Sequence, residues 1–261
     1  MELSDFLSLR GVMMMQRVLD SLIPYLSLVT PGLVLGAVML YVVRNEHRLR
    51  ITVYVALFVL LRDAMTPLGL WSLGTEGFFW IRLSENPGFL VAFGLGSLGL
   101  VLVLVRFDRE NRPSLIWIRE RSIEGWWVGG LGAAIVVLPL ALIYRSTPQA
   151  ARGGAVPTGI LPALLIFALF GNLLEEMLFR GYVLGELTLQ MRPIRAGVLS
   201  GVVFAFCHIF LATTVTDVGS PLLLFTLWEG AIAGLVGARY GIGPATVTHG
   251  GAVFLLASGL F

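Results

Sequence analysis

The chain has 261 residues, of which 57% are apolar and only 13% charged, with a formal net charge of +2 and a mean hydropathy of +0.87. Soluble domains carry about 45–50% apolar and about 25% charged residues, so this composition excludes a soluble domain and calls for a lipid-facing surface. The basic residues, all arginine, lie in the gaps between apolar runs rather than in one patch, which excludes a nucleic-acid-binding face.

A bilayer core takes about 20 mostly apolar residues per helix. Runs at 24–43, 51–70, 88–105, 125–144, 158–179, 196–212, 221–238 and 242–260 meet that need and predict an all-α, polytopic transmembrane helical bundle of about eight spans. Ahead of them, Met1 to Leu22 mixes Glu2, Asp5 and Asp20 with Arg10 and Arg17, unlike the basic start and apolar core of a cleaved signal peptide. The second run is the weakest, because Arg62, Asp63 and Pro67 interrupt it. Arg62 and Asp63 read as mutually neutralising or as a helix end, and the stretch from Trp71 to Trp80 as interfacial. Seven spans plus a re-entrant piece is the alternative count. His47 reads as a solvated loop residue, and Trp126 with Trp127 as an interfacial anchor. A flexible, small-residue loop, PQAARGGAVP at 148–157, separates four N-terminal helices (1–150) from the C-terminal ones (151–261) within one integral membrane domain. Gly230, Gly234 and Gly237 point to close helix packing. The single cysteine, Cys207, excludes an internal disulfide and a cysteine-cluster metal site.

Arginine-rich short loops stay cytoplasmic. The loops after the first, third, fifth and seventh spans hold twelve of the eighteen arginines, Arg180, Arg192 and Arg195 among them. That bias sends both termini outward, and the missing targeting signal points to a prokaryotic inner membrane.

The polar residues within spans concentrate after residue 157: Asn172, Glu175, Glu176, His208, Glu229 and His249. A carboxylate at mid-helix costs about 2.5–3.5 kcal/mol on insertion scales, so adjacent Glu175 and Glu176 need a compensating reason. Glu176 and Arg180, four apart on one helix face, pair at least cost. Glu175 lies about 100° away and is left unaccounted for; a helix-end carboxylate snorkelling to water is the bland reading. His208 and His249 fall in other apolar runs and can face a common interior. A carboxylate with imidazoles can activate water and hold an oxyanion, as peptide hydrolysis requires. The same three groups, Glu175, His208 and His249, are also a ligand set for a divalent metal such as zinc with an open fourth position. Glu229 reads as a partner of a site histidine or as a helix-to-helix hydrogen bond.

Glu175-Glu176-x-x-x-Arg180, Phe204-x-x-x-His208 and then His249 resemble the ordered motifs of the CPBP family, the CAAX-protease and bacteriocin-processing intramembrane endopeptidases, which include the Ras-converting prenyl-protein endopeptidase. The resemblance covers about residues 158–261. It implies that Glu175 activates the water, that Glu176 and Arg180 organise the helix, and that His208 and His249 complete the site. The last motif of the family is often H-x-x-x-N, whereas Val253 stands here; Asn172, one turn before the glutamates, is the candidate replacement for the oxyanion donor. The expected partners are the bilayer and a membrane-bound protein or peptide, lipid-modified in some members, with no nucleic acid. Two other readings are a non-catalytic membrane scaffold or immunity protein of the same fold and, with no inverted repeat visible, an ion-coupled carrier.

The arginine bias gives a topological prediction. Reporter fusions near Arg192 are expected to read cytoplasmic and fusions at Phe261 external; a cytoplasmic signal at Phe261 rejects the eight-span arrangement.

Overall fold

A computed structural model describes residues 3–66, 71–75, 78–119 and 122–260, with the side chains of residues 3–22 and of Ser122 left aside. Eight helical segments in it coincide with the eight apolar runs. They are α1 (Leu3–Val42), α2 (His47–Met65), α3 (Pro87–Phe107), α4 (Ser122–Tyr144), α5 (Thr158–Thr188), α6 (Pro193–Val215), α7 (Ser220–Tyr240) and α8 (Ile242–Ser258). Among the described residues six of these are long and apolar enough to cross a membrane. The exceptions are α2, which carries Arg48, Arg50, Arg62 and Asp63, and α8, which has 17 residues. In the most apolar stretch of α7 56% of residues are buried, against 11% in that of α1, so α7 is interior and α1 peripheral.

The segment between α2 and α3 adds a small β element to the bundle. Strands β1 (Trp71–Gly74) and β2 (Trp80–Leu83) pair antiparallel, with Trp71 opposite Leu83 and Leu73 opposite Ile81. Side chains alternate between faces along a strand. Trp71, Leu73, Ile81 and Leu83 therefore share a face, which lines a cavity. Arg82, on the other face, donates to the carbonyls of Leu256 at 2.8 Å and Gly154 at 3.2 Å, and the Tyr144 hydroxyl donates to the Phe79 carbonyl. The 148–157 loop is accordingly pinned rather than flexible. Arg152 is buried, with its guanidinium over the Tyr144 ring, and Gln149 donates to the Gly259 carbonyl at 2.7 Å.

Two backbone features position the C-terminal half. First, α5 alternates α and π turns, with π segments at Phe167–Gly171 and Met177–Val183 bracketing the α-helical Asn172–Glu176. It runs to Thr188, beyond the expected end at 179, so Arg180 lies inside the helix and not in a loop. Second, α6 and α7 touch backbone to backbone. A Cβ on Gly234 would stand 2.1 Å from the Gly197 carbonyl oxygen, and one on Gly201 2.5 Å from the Gly230 carbonyl. Small residues allow this approach where van der Waals packing, rather than water exclusion, holds helices together.

Gly234→Ala is therefore expected to destabilise the protein by about 1–3 kcal/mol, the usual cost of overpacking. Gly130→Ala, whose Cβ would meet nothing within 4 Å, is expected to melt at or above the wild-type temperature. Thermal unfolding in detergent checks both.

Candidate active site

The polar residues of α5, α6, α7 and α8 converge where these helices cross. Glu176 is fully buried, and its Oε1 accepts from Arg180 Nη1 and from His249 Nδ1, each at 2.8 Å. The ion pair expected from the four-residue spacing is thus present, and His249 on α8 joins it. Arg180 Nη2 also donates to the Gly230 carbonyl at 3.1 Å, and its guanidinium lies 4.6 Å from the centre of the Phe204 ring. Its aliphatic stem fits against Gly237, where a Cβ would stand 2.8 Å from Arg180 Cγ. The other nitrogen of His249, Nε2, lies 3.8 Å from Glu229 Oε2, so that Glu229 faces the site histidine across α7 and α8.

Glu175 behaves differently from its neighbour. No hydrogen bond or ion pair to it occurs among the described residues, and its buried Oε2 has no partner. It lines a cavity of about 350 Å³ together with Asn172, His208, Glu229, His249 and Val253. The rest of that wall is mostly apolar, built from α2, α3, α5 and the inner face of the hairpin. Asn172 reaches the same cavity but spends one amide hydrogen on the Ala168 carbonyl at 2.6 Å.

His208 is fixed at both ring nitrogens. Nδ1 stands 2.8 Å from the Phe204 carbonyl, an acceptor only, so Nδ1 carries the proton. Nε2, 3.0 Å from Arg62 Nη1, therefore accepts. Arg62 comes from α2, in the half of the chain expected to hold no chemistry. It does pair with Asp63, Nε to Oδ1 at 2.8 Å, as one reading of the sequence had it, but it also holds His208 and donates to the Cys207 carbonyl at 2.7 Å. The missed signal was of the same kind as the one that flagged the glutamates: a charge in an apolar run carries a similar insertion cost whichever its sign.

The Nε2 lone pair of His208 is taken by a cationic donor, and no three His, Cys, Asp or Glu side chains among the described residues are grouped to hold an ion.

A buried carboxylate without a partner, beside imidazoles and an apolar cavity in a bundle of membrane-length helices, is a group that can activate water. Residues 157–255, which include all three motifs, match the type II CAAX prenyl endopeptidase Rce1-like family model. That is the family the motifs resemble, and its general class is a CAAX-type intramembrane endopeptidase acting on a membrane-associated protein. No curated protein and no solved structure matches the chain.

Because the Glu176 carboxylate is shared by two partners, Glu176→Gln is expected to leave Arg180 buried without its counter-ion and to cost roughly 3–5 kcal/mol of stability. The readout is a lower melting temperature and a lower yield in detergent, along with lost activity.

Proposed function

We propose that the protein cleaves a peptide bond of a membrane-bound, apolar or prenylated segment lodged in the cavity, near the cytoplasmic leaflet, with Glu175 as general base. The observation that carries this reading is the contrast between the adjacent glutamates. Glu176 is engaged by Arg180 and His249, whereas Glu175 meets the cavity with no partner.

In this mechanism Glu175 takes a proton from a water whose oxygen bonds to the scissile carbonyl carbon. The carbonyl pair moves onto its oxygen. As that pair returns, the carbon–nitrogen bond breaks and the Glu175 proton passes to the leaving amine. His249, held through Nδ1 by Glu176, presents Nε2 to the reacting groups, while His208, against the same Phe204 ring, lines the pocket with it. The apolar wall accommodates the substrate chain and keeps bulk water away.

Glu175→Gln keeps side-chain volume and removes the basic lone pairs, so it is expected to lower kcat by at least about 10²- to 10⁴-fold, the range for a positioned acid–base group, with a wild-type melting temperature. Cleavage of a prenylated or apolar membrane peptide by the purified protein measures this. Wild-type turnover in Glu175→Gln rejects the mechanism. A wild type that binds such peptides and cleaves none makes the chain a non-catalytic member of the same fold. Cleavage is further expected to survive chelator treatment, and metal analysis of the wild type and of the His208→Ala/His249→Ala double variant is expected to show no bound equivalent in either.

A further inference from the structure

When a peptide carbonyl becomes tetrahedral, a full negative charge develops on its oxygen, and inside an apolar cavity that charge needs a donor already in place. Most donors on this wall are spent within the protein. The Tyr25 hydroxyl donates to the Leu61 carbonyl at 3.3 Å, the Trp71 indole to the Thr66 hydroxyl at 3.1 Å, and the Thr226 hydroxyl to the Leu223 carbonyl at 3.1 Å. His208 gives its one N–H to Phe204 and receives at Nε2. It has no hydrogen left for a substrate oxygen.

Arg62 is different. A guanidinium carries five N–H groups, and here Nε, Nη1 and Nη2 each give one, to Asp63, His208 and Cys207. Two hydrogens remain, one on each Nη nitrogen. The side chain is 10% exposed, it is held by the nearly buried Asp63 carboxylate, and it is the one arginine on the cavity wall among the described residues. A positive group fixed by three hydrogen bonds, with donors to spare, beside the unpartnered Glu175 carboxylate on the same wall, is a preorganised site for a developing anion.

Building on the proteolytic reading, we propose that Arg62 is a catalytic residue whose free Nη hydrogens hold the acyl oxygen as it becomes an oxyanion. The electron pair leaving the carbonyl comes to rest against Arg62 while the water proton moves to Glu175. It returns when the carbon–nitrogen bond breaks. The hydrogen bond to His208 Nε2 and the pair with Asp63 set the plane of the guanidinium.

The test compares Arg62→Gln, Arg62→Lys and Asn172→Ala with wild type. Arg62→Gln is expected to lower kcat by about 10²- to 10³-fold, the usual loss for an oxyanion donor, with KM changed less than threefold. Asn172→Ala, which removes the competing neutral donor, is expected to stay within tenfold. A peptide aldehyde, whose hydrate mimics the tetrahedral centre, is expected to lose affinity for Arg62→Gln in parallel with kcat/KM. Substrate peptide binding, measured in a Glu175→Gln background, is expected to be unchanged. Should Arg62→Gln fail to fold, Arg62→Lys keeps the charge but offers one nitrogen where three act, and a folded Arg62→Lys is expected to lose at least tenfold in kcat. Wild-type kcat in a folded Arg62→Gln or Arg62→Lys overturns the assignment, as does an Asn172→Ala loss that exceeds that of the Arg62 variants. If Glu175→Gln is inactive while the Arg62 variants turn over normally, this assignment alone fails; if Glu175→Gln is active, the proteolytic reading fails first.

Discussion

The buried Glu176 carboxylate organises the C-terminal half of the bundle. Charge in an apolar interior is tolerated only where excellent geometry and further hydrogen bonds offset the desolvation. Glu176 is held through Oε1 by Arg180 on its own helix and His249 on α8, with Oε2 left without a partner, and Arg180 extends the set to the Gly230 carbonyl on α7 and the Phe204 ring on α6. Four helices are thereby tied to one charge. The close approaches around it follow: Gly237 admits the arginine stem, and the Gly197–Gly234 and Gly201–Gly230 contacts let α6 and α7 come near enough for the carbonyl and the ring to reach.

The fold was largely legible because a membrane span is a strong signal: length and apolarity located all eight helices. The hairpin was not, since four-residue strands give no measurable period-2 pattern and tryptophans in a membrane protein read first as interfacial anchors. Among site residues, Glu175, Glu176, Asn172, His208 and His249 stood out as polar groups in apolar runs, and the structure lines one cavity with all of them but Glu176, which bonds His249. One arginine was misplaced and another only partly read. Arg180 was counted with a loop because apolar content falls at 179, although the helix continues to Thr188 on its ion pair. Arg62 was given its neighbour Asp63 as sufficient explanation, and adjacency in sequence hid a contact spanning 146 residues.

That contact joins the halves of the chain. The family match spans 157–255, yet the pocket it would serve is walled by Phe58 and Arg62 of α2, by Phe93 and Leu100 of α3, and by the hairpin face. The matched segment supplies the glutamates and histidines. The preceding helices supply most of the apolar wall and the arginine that bonds His208.

The two π segments of α5 have a consequence for how this region can change over evolutionary time. A π turn accommodates one residue more than an α turn needs, and straight α-helix is the easier backbone. Losing one residue from the Phe167–Gly171 turn would return it to α geometry with the flanking turns near their present register, whereas losing one from the α-helical Asn172–Glu176 would rotate everything on one side of it by about 100° and shift it by about 1.5 Å along the axis. Gly250 of α8 lies so close to Ala168 that a Cβ there would stand 2.4 Å from its carbonyl oxygen, and His249 beside it holds Glu176 a turn or two further along α5. A register change would break one contact or the other. The α-helical turn that carries the two glutamates is therefore closed to insertion and deletion in a way that surface loops are not, and its sequence is free to vary only by exchange of one side chain for another at constant length.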